Sequence, residues 1–185
     1  MSSDANPIDE VEQWLEKVVL GLNLCPFAHQ PHRKQRIKLQ VSHSTDDESL
    51  LNEFDAALRE LLQTEASELE TTVIIVEKHL KRFDDYLDFI AYADHWLELN
   101  QLRGVLQLAS FHPDYQFEGT DLDASENLTN RSPYPLLHII REQSISEGLA
   151  RYPFNHEQIV QQNIEAVSQL SEEQKRSLFP YLFKH

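Results

Sequence analysis

Cysteine is nearly absent: Cys25 stands alone in a chain of 185 residues. That excludes an internal disulfide and any zinc site built from several thiolates. Positive charge is scarce too. Sixteen lysines and arginines face 31 aspartates and glutamates, for a formal charge of −15. Such a field repels phosphate backbones and anionic lipids, so neither nucleic acid nor a membrane is expected as a partner. No apolar run approaches the roughly 18 residues that a membrane span needs. Met1 to Asp4 has neither the basic start nor the apolar stretch of a secretory signal, so a cytoplasmic location is expected. Glycine is rare, with four residues. There is no glycine-rich phosphate loop and no dinucleotide fingerprint, hence no nucleotide-cofactor signature. No repeat, low-complexity tract or linker divides the chain. A single domain over 1–185 is the simplest organisation, long enough for a real core.

What is present alternates between helix and strand patterns. Asn6 can cap a helix with Pro7 in its first position. Val11, Trp14, Leu15, Val18, Val19 and Leu22 then recur on one face, and Gly21 ends the helix. Arg36 to Ser42 alternates strictly and reads as a half-exposed strand at a sheet edge. Thr45 and Glu48 have capping-box spacing, and a helix with Leu50, Leu51, Phe54, Ala57, Leu58, Leu61 and Leu62 inward follows. Thr72 to Val76 is a β-branched run without alternation, as in a strand buried on both faces. A helix over Phe83 to Leu99 should turn Phe83, Tyr86, Leu87, Ile90 and Leu97 inward. Gly104 to Ala109 is the third strand. Helices are expected from Pro135 to about Ile145 and from about His156 to Leu170, with Phe179 to His185 covering a surface groove. The fold class is therefore α/β: a small, mainly parallel sheet of three to four strands with a β-α-β-α-β core. An N-terminal helix and two or more C-terminal helices pack on it, and Tyr115 to Phe117 is a candidate fourth strand.

One segment is too long and too aromatic to be a plain connector: Ser110-Phe111-His112-Pro113-Asp114-Tyr115-Gln116-Phe117-Glu118-Gly119-Thr120, closed by Asn130-Arg131-Ser132-Pro133-Tyr134-Pro135. Open parallel sheets bind ligands outside the carboxyl ends of their strands. Three loops leave those ends. The first offers His43 and Ser44, the second Glu77, Lys78, His79, Lys81 and Arg82, the third the motif loop. Imidazole and basic groups thus collect at one edge of a very acidic protein, and a small anionic molecule is the natural guest.

Within the motif, His112 is a candidate acid/base, since imidazole titrates near neutrality. The alternative is a structural loop histidine. Asp114 shares its face in an extended segment and can orient it, bind a metal, or close an Asx turn. Tyr115 and Phe117 read as pocket wall or core. Asn130, Arg131 and Ser132 precede the expected helix start, and an arginine beside a helix N-terminus makes an anion site. His138 and Arg141, at i and i+3 on that helix, either face the same ligand or form an exposed ion-pair face with Glu142. Asn127-Leu128-Thr129 fits a glycosylation sequon, which means nothing without secretion.

Gly21 to Ala28 is the other candidate segment. Cys25 is a potential nucleophile or metal ligand, or a buried small hydrophobe. His29, His32, Arg33 and Lys34 lower its pKa if they face it. Cys25-Pro26-Phe27-Ala28 resembles the active-site start of some glutathione transferases and glutaredoxin-like proteins. There the cysteine follows a strand and opens a helix; here it follows a helix, which excludes that reading.

Taken together, Gly21 to Ala28, Ala109 to Phe117, and Thr129 to Pro135 with Leu137-His138 and Arg141-Glu142 resemble the domain of unknown function 1415 family. The resemblance runs from about Val11 to the helix containing Asn163. It implies a single domain and transfers no mechanism.

Two classes of function follow as expectations. The first is a cytosolic enzyme, a hydrolase or group transferase, acting on a small anionic substrate. His112, Asp114 and Cys25 would be catalytic, and Asn130, Arg131, Ser132, His138, Arg141 and Tyr115 would bind substrate. The second is a non-catalytic protein that binds a small ligand or a divalent transition metal, with Cys25, His112, Asp114 and His138 as candidate ligands, or an interaction module docking through the aromatic loop. The sequence leaves the oligomeric state open.

Overall fold

A computed structural model describes residues 6–183. Four strands form one sheet: β1 (Ile37–Ser42), β2 (Thr71–Val76), β3 (Leu106–Phe111) and β4 (Leu136–Arg141), in the order β1-β2-β4-β3. β1 and β2 are parallel, while β4 is antiparallel to both β2 and β3. Three strands therefore point one way, as the alternating pattern predicts, and β4 is slotted between two of them in the opposite sense. The carboxyl ends of β1, β2 and β3 share one edge with the start of β4.

β4 replaces the helix expected from Pro135. Leu136-Leu137-His138-Ile139-Ile140 satisfies helical spacing over one turn, yet it is a short apolar run behind a proline, with two β-branched residues. Such runs do not distinguish helix from buried strand by periodicity. Burial on both faces settles it: Leu136, Leu137 and Ile139 are fully enclosed. The helix begins only at Glu142, as α5 (Glu142–Arg151). Tyr115 to Phe117 is loop, not a fourth strand.

Helices cover both faces. α3 (Asp47–Gln63) and α4 (Phe83–Leu99) bury Phe54, Leu58, Tyr86 and Phe89 against Ile74, Val76, Leu137 and Ile139. Phe89 takes the inward place expected of Leu87, which points out. The cap of α3 is Asp46 rather than Thr45, accepting from the Ser49 N–H at 2.8 Å. On the other face, α1 (Pro7–Trp14) sets Val11 and Trp14 over Val73, Ile75 and Leu136. Val167 of α6 (His156–Ser168) and Phe179, just beyond α7 (Glu172–Leu178), complete that layer. Phe179 is buried and Tyr181 and Leu182 pack beside it, so the last described residues do cover this face; His185 lies outside the described residues.

The first helix does not stop at Gly21 as an α-helix. It widens to a π-helix over Leu15–Leu20, closed by the Gly21 N–H on the Glu16 carbonyl at 2.9 Å. Gly21 is right-handed, and its role is steric: a Cβ there would meet the Lys17 carbonyl oxygen at 2.2 Å.

β4 is pinned at its first residue by a buried phenol. The Tyr86 hydroxyl donates to the Leu136 carbonyl at 2.7 Å and accepts the Phe111 N–H at 2.8 Å. It thereby bridges the paired residues Phe111 and Leu136 at the carboxyl edge. Burial drives its pKa up, so it stays a donor. At the opposite edge, Nη2 of Arg141 lies within hydrogen-bonding distance of the carbonyls of Leu61, Thr64 and Leu69, capping α3 with its two N–H groups. Tyr86→Phe leaves an N–H and a carbonyl without partners at 1–3 kcal/mol each, so a loss of about 3 kcal/mol is expected. Urea unfolding of the two proteins measures it, and an unchanged midpoint would refute the role given to the phenol.

Candidate functional site

The carboxyl edge gathers the ends of β1, β2 and β3 and the entry to β4. The motif loop folds back on itself there. The His112 N–H reaches the Asn130 carbonyl at 3.1 Å, and the Asn130 amide donates to the Ser110 carbonyl at 3.0 Å. Ser132, fully buried, donates from its hydroxyl to the Tyr134 carbonyl. Asn127 holds the loop tip: its side-chain oxygen accepts from the Phe117 N–H and the Thr120 hydroxyl, and its amide donates to the Asp121 carbonyl. A sequon match hides this role, which a fully buried asparagine reveals only in the fold.

His112 is completely buried and both ring nitrogens are engaged. Nδ1 accepts the Asp114 N–H at 3.0 Å, so Nε2 carries the proton and donates to the Leu80 carbonyl at 3.0 Å. The ring packs against Phe83 and Tyr86. Burial lowers its pKa, countered by the Leu80 carbonyl and by Asp114. Neither nitrogen faces solvent to exchange a proton with a substrate. What His112 does is grip Leu80, a buried residue at φ +55°, in the left-handed region disfavoured for a branched side chain.

Arg131 is engaged with its own loop. Nε donates to the Tyr115 carbonyl at 3.1 Å and Nη2 to the Leu122 carbonyl at 2.7 Å. Its own carbonyl accepts from Trp14 Nε1 and the Tyr181 hydroxyl, each at 3.0 Å. No helix begins beside it, so the helix-terminus half of the expected anion site is absent. Tyr115 is wall, packed against Phe83 and Phe117. Asp114 lies within electrostatic reach of His112 and Arg131.

The remaining expected site residues are scattered. His138 sits mid-strand on the second face, its Nε2 bonded to the Thr71 hydroxyl at 2.8 Å. Arg141 ends β4 at the far edge. Cys25 packs in the second-face cluster, with the sheet between it and the rings that enclose His112. Burial pushes its thiol pKa up despite backbone hydrogen bonds from Phe27 and Ala28. His29 turns to Asn23 and His32 to Glu16. Cys25, His112, Asp114 and His138 thus do not converge; among the described residues, the group whose ligand atoms do converge is a different one, Glu12, Glu16 and His32.

A second polar cluster stands at the carboxyl edge itself. Exposed His43, just after β1, has Nδ1 2.7 Å from Oε2 of Glu77, just after β2. An ionised carboxylate only accepts, so Nδ1 donates to Glu77. His79 pairs likewise with Asp47 at 2.7 Å, and Ser44 donates to Glu53. The Tyr134 hydroxyl donates to Glu10 Oε2 at 2.6 Å. Its pKa is raised by burial first, then by the Glu10 bond and the Glu10 and Glu77 charges. The Lys81 ammonium lies 5.8 Å from the centroid of the Tyr134 ring. His43, Glu77 with Lys81, Tyr134 and Glu10 come from four stretches of chain. The sequence offers the first three as edge residues; nothing in it pairs Tyr134 with Glu10 across 124 positions.

A family model described as a protein of unknown function, DUF1415, matches residues 6–177. No curated protein and no solved structure matches the chain significantly.

His138 also sets a pH dependence. Burial lowers its pKa from 6.5 to about 4, so the unfolded chain binds a proton that the folded chain refuses between those values. The stabilising contribution is complete above pH 6.5 and is lost as pH falls toward 4, a swing of about 2–3 kcal/mol. Urea unfolding at pH 7 and pH 4.5 should show wild type losing more stability than His138→Leu. Parallel losses would remove His138 as the cause.

Proposed function

The chain belongs to the DUF1415 family, and we propose that it is a cytoplasmic enzyme, a hydrolase or group transferase, acting on a small anionic molecule at the carboxyl edge of its sheet. The observation that carries this is Lys81. In a chain of charge −15, this cation meets the face of Tyr134, with no carboxylate ion-paired to it among the described residues. Its ring partner Tyr134 feels the charge of Glu77, the carboxylate bonded to His43. A cation left uncompensated in a negative field is where an incoming anion gains most.

His43 is the proton carrier and Glu77 its orienter, the arrangement that general acid–base chemistry requires. For hydrolysis, His43 Nε2 takes a proton from water as the water oxygen bonds to the electrophilic centre. The bond to the leaving oxygen breaks, and His43 returns the proton to it. Lys81 neutralises the substrate anion. The motif loop acts as scaffold. His112 fixes the Leu80 carbonyl, one residue before Lys81, and Arg131 locks the loop through Tyr115 and Leu122. Strain held at Leu80 by surrounding contacts is a recurrent mark of functional loops.

A panel of p-nitrophenyl esters, including the phosphate, sulfate and a dicarboxylic monoester, provides the assay. Turnover of at least one is expected. His43→Ala should lower kcat about 100-fold or more, and Lys81→Met should raise KM with little change in kcat. Absence of turnover across the panel, or equal rates in wild type and His43→Ala, would overturn the assignment.

A further inference from the structure

Away from the carboxyl edge, α1 and the short α2 (His29–Arg33) stand over the amino-terminal half of β1. Between them lies an open cleft of about 500 Å³, floored by Leu15, Ile37 and Leu39. Glu12, Glu16 and His32 converge on it, with Arg33 at the rim. One ligand atom from each of the three lies within 4.8 Å of the other two. His32 Nε2 is 3.7 Å from Glu16 Oε1.

We propose that Glu12, Glu16 and His32 bind one divalent transition-metal ion, with Zn²⁺ as the fitting case. Three atoms mutually within 4.8 Å share a point no more than about 2.8 Å from each, and Zn–N and Zn–O bonds of about 2.0–2.2 Å need only small side-chain movements from there. One imidazole and two carboxylates favour zinc, iron or nickel over calcium or magnesium, which take oxygen donors. Three protein ligands leave further positions open toward the cleft, as in zinc sites that act on a bound molecule.

Two glutamates four apart on one helix repel, and here they do so in a protein of charge −15. Yet they are held with carboxylate oxygens within 4.8 Å, alongside a histidine from a different element. A cation is the ligand that relieves this arrangement. The helix departs from α geometry just where the second ligand sits: Glu16 opens the π-helical turn, and its carbonyl takes the π-type bond from Gly21. Such turns are frequent at functional sites. The site shares no residue with the carboxyl-edge cluster, so it stands whether or not that edge is catalytic.

The test is titration calorimetry of EDTA-stripped full-length protein with ZnCl₂, and separately with CaCl₂. One Zn²⁺ per chain is expected at micromolar affinity or tighter, with a rise in melting temperature. His32→Ala and Glu12→Gln should each weaken binding at least tenfold and abolish the rise, while Cys25→Ala retains both. Glu12 is exposed, so its variant keeps the test sound should His32→Ala fold poorly. Equal zinc affinity in wild type and both ligand variants, loss only in Cys25→Ala, calcium binding as tight as zinc, or no binding would each overturn the site.

Discussion

The Tyr86 hydroxyl sits between the last residue of β3 and the first residue of β4, accepting a hydrogen bond from one backbone and donating one to the other. Its importance comes from the sheet order. β1, β2 and β3 form a right-minded α/β succession, each reached through a covering helix, but β2 and β3 are not neighbours. The gap between them is filled by β4 in the reverse direction. A strand so placed must begin at the carboxyl edge, beside the end of β3. Tyr86 belongs to α4, the connection between β2 and β3, so one side chain ties the crossover to the strand it encloses. Adjacent antiparallel strands can be joined by a two-residue turn. Here residues 112–135 make the journey instead, because they also cover the second face: Leu128 is part of its core, and Trp14 and Tyr181 both donate to the Arg131 carbonyl.

This construction accounts for the character of the motif loop. Its aromatic and charged residues suggest a catalytic loop by composition, and most of them hold the loop's own shape. His112 links Leu80 to Asp114, Arg131 links Tyr115 to Leu122, and Asn127 links Phe117, Thr120 and Asp121. Apart from the short 3-10 helix Ser125–Thr129, the segment has no helix or ladder to satisfy its N–H and C=O groups, so side chains do much of it. The dense set of His, Asn, Arg and Ser is what that requirement looks like in sequence.

Much of the fold was legible because its signals are local. The cap at Asn6, the stripe on α1, the all-β-branched Thr72 to Val76 and the long α4 each express one period over one element. β4 was not legible, because four apolar residues around His138 fit either period and only burial between β2 and β3 decides. Asp46 displaced Thr45 as the cap of α3 for a similarly local reason, one residue of slippage between two acceptable caps. For the candidate site, the topology rule located the edge and supplied His43, Glu77 and Lys81. It could not rank the histidines, since their roles depend on exposure and partners. His112 and His138 are held in desolvated surroundings that favour the neutral ring. His43 and His79 pair with carboxylates at the carboxyl edge.

That division has a physical consequence for the acidic surface. Most cationic or imidazole groups near the carboxyl edge have an internal partner: His43 with Glu77, His79 with Asp47, Arg82 with Asp84, and Arg131 with two carbonyls. The cations and imidazoles paired with carboxylates add little net attraction for an anion, and the Arg131 guanidinium is turned to the carbonyls of its own loop. Lys81 differs, because an aromatic face partners a cation without cancelling its charge. Tyr134 is itself held by Glu10, so the ring that supports Lys81 is fixed by a bond to α1, on the other side of the sheet from α4. The anion-binding capacity of the edge therefore rests less on how many basic residues gather there than on those, such as Lys81, that have no carboxylate ion-paired to them among the described residues.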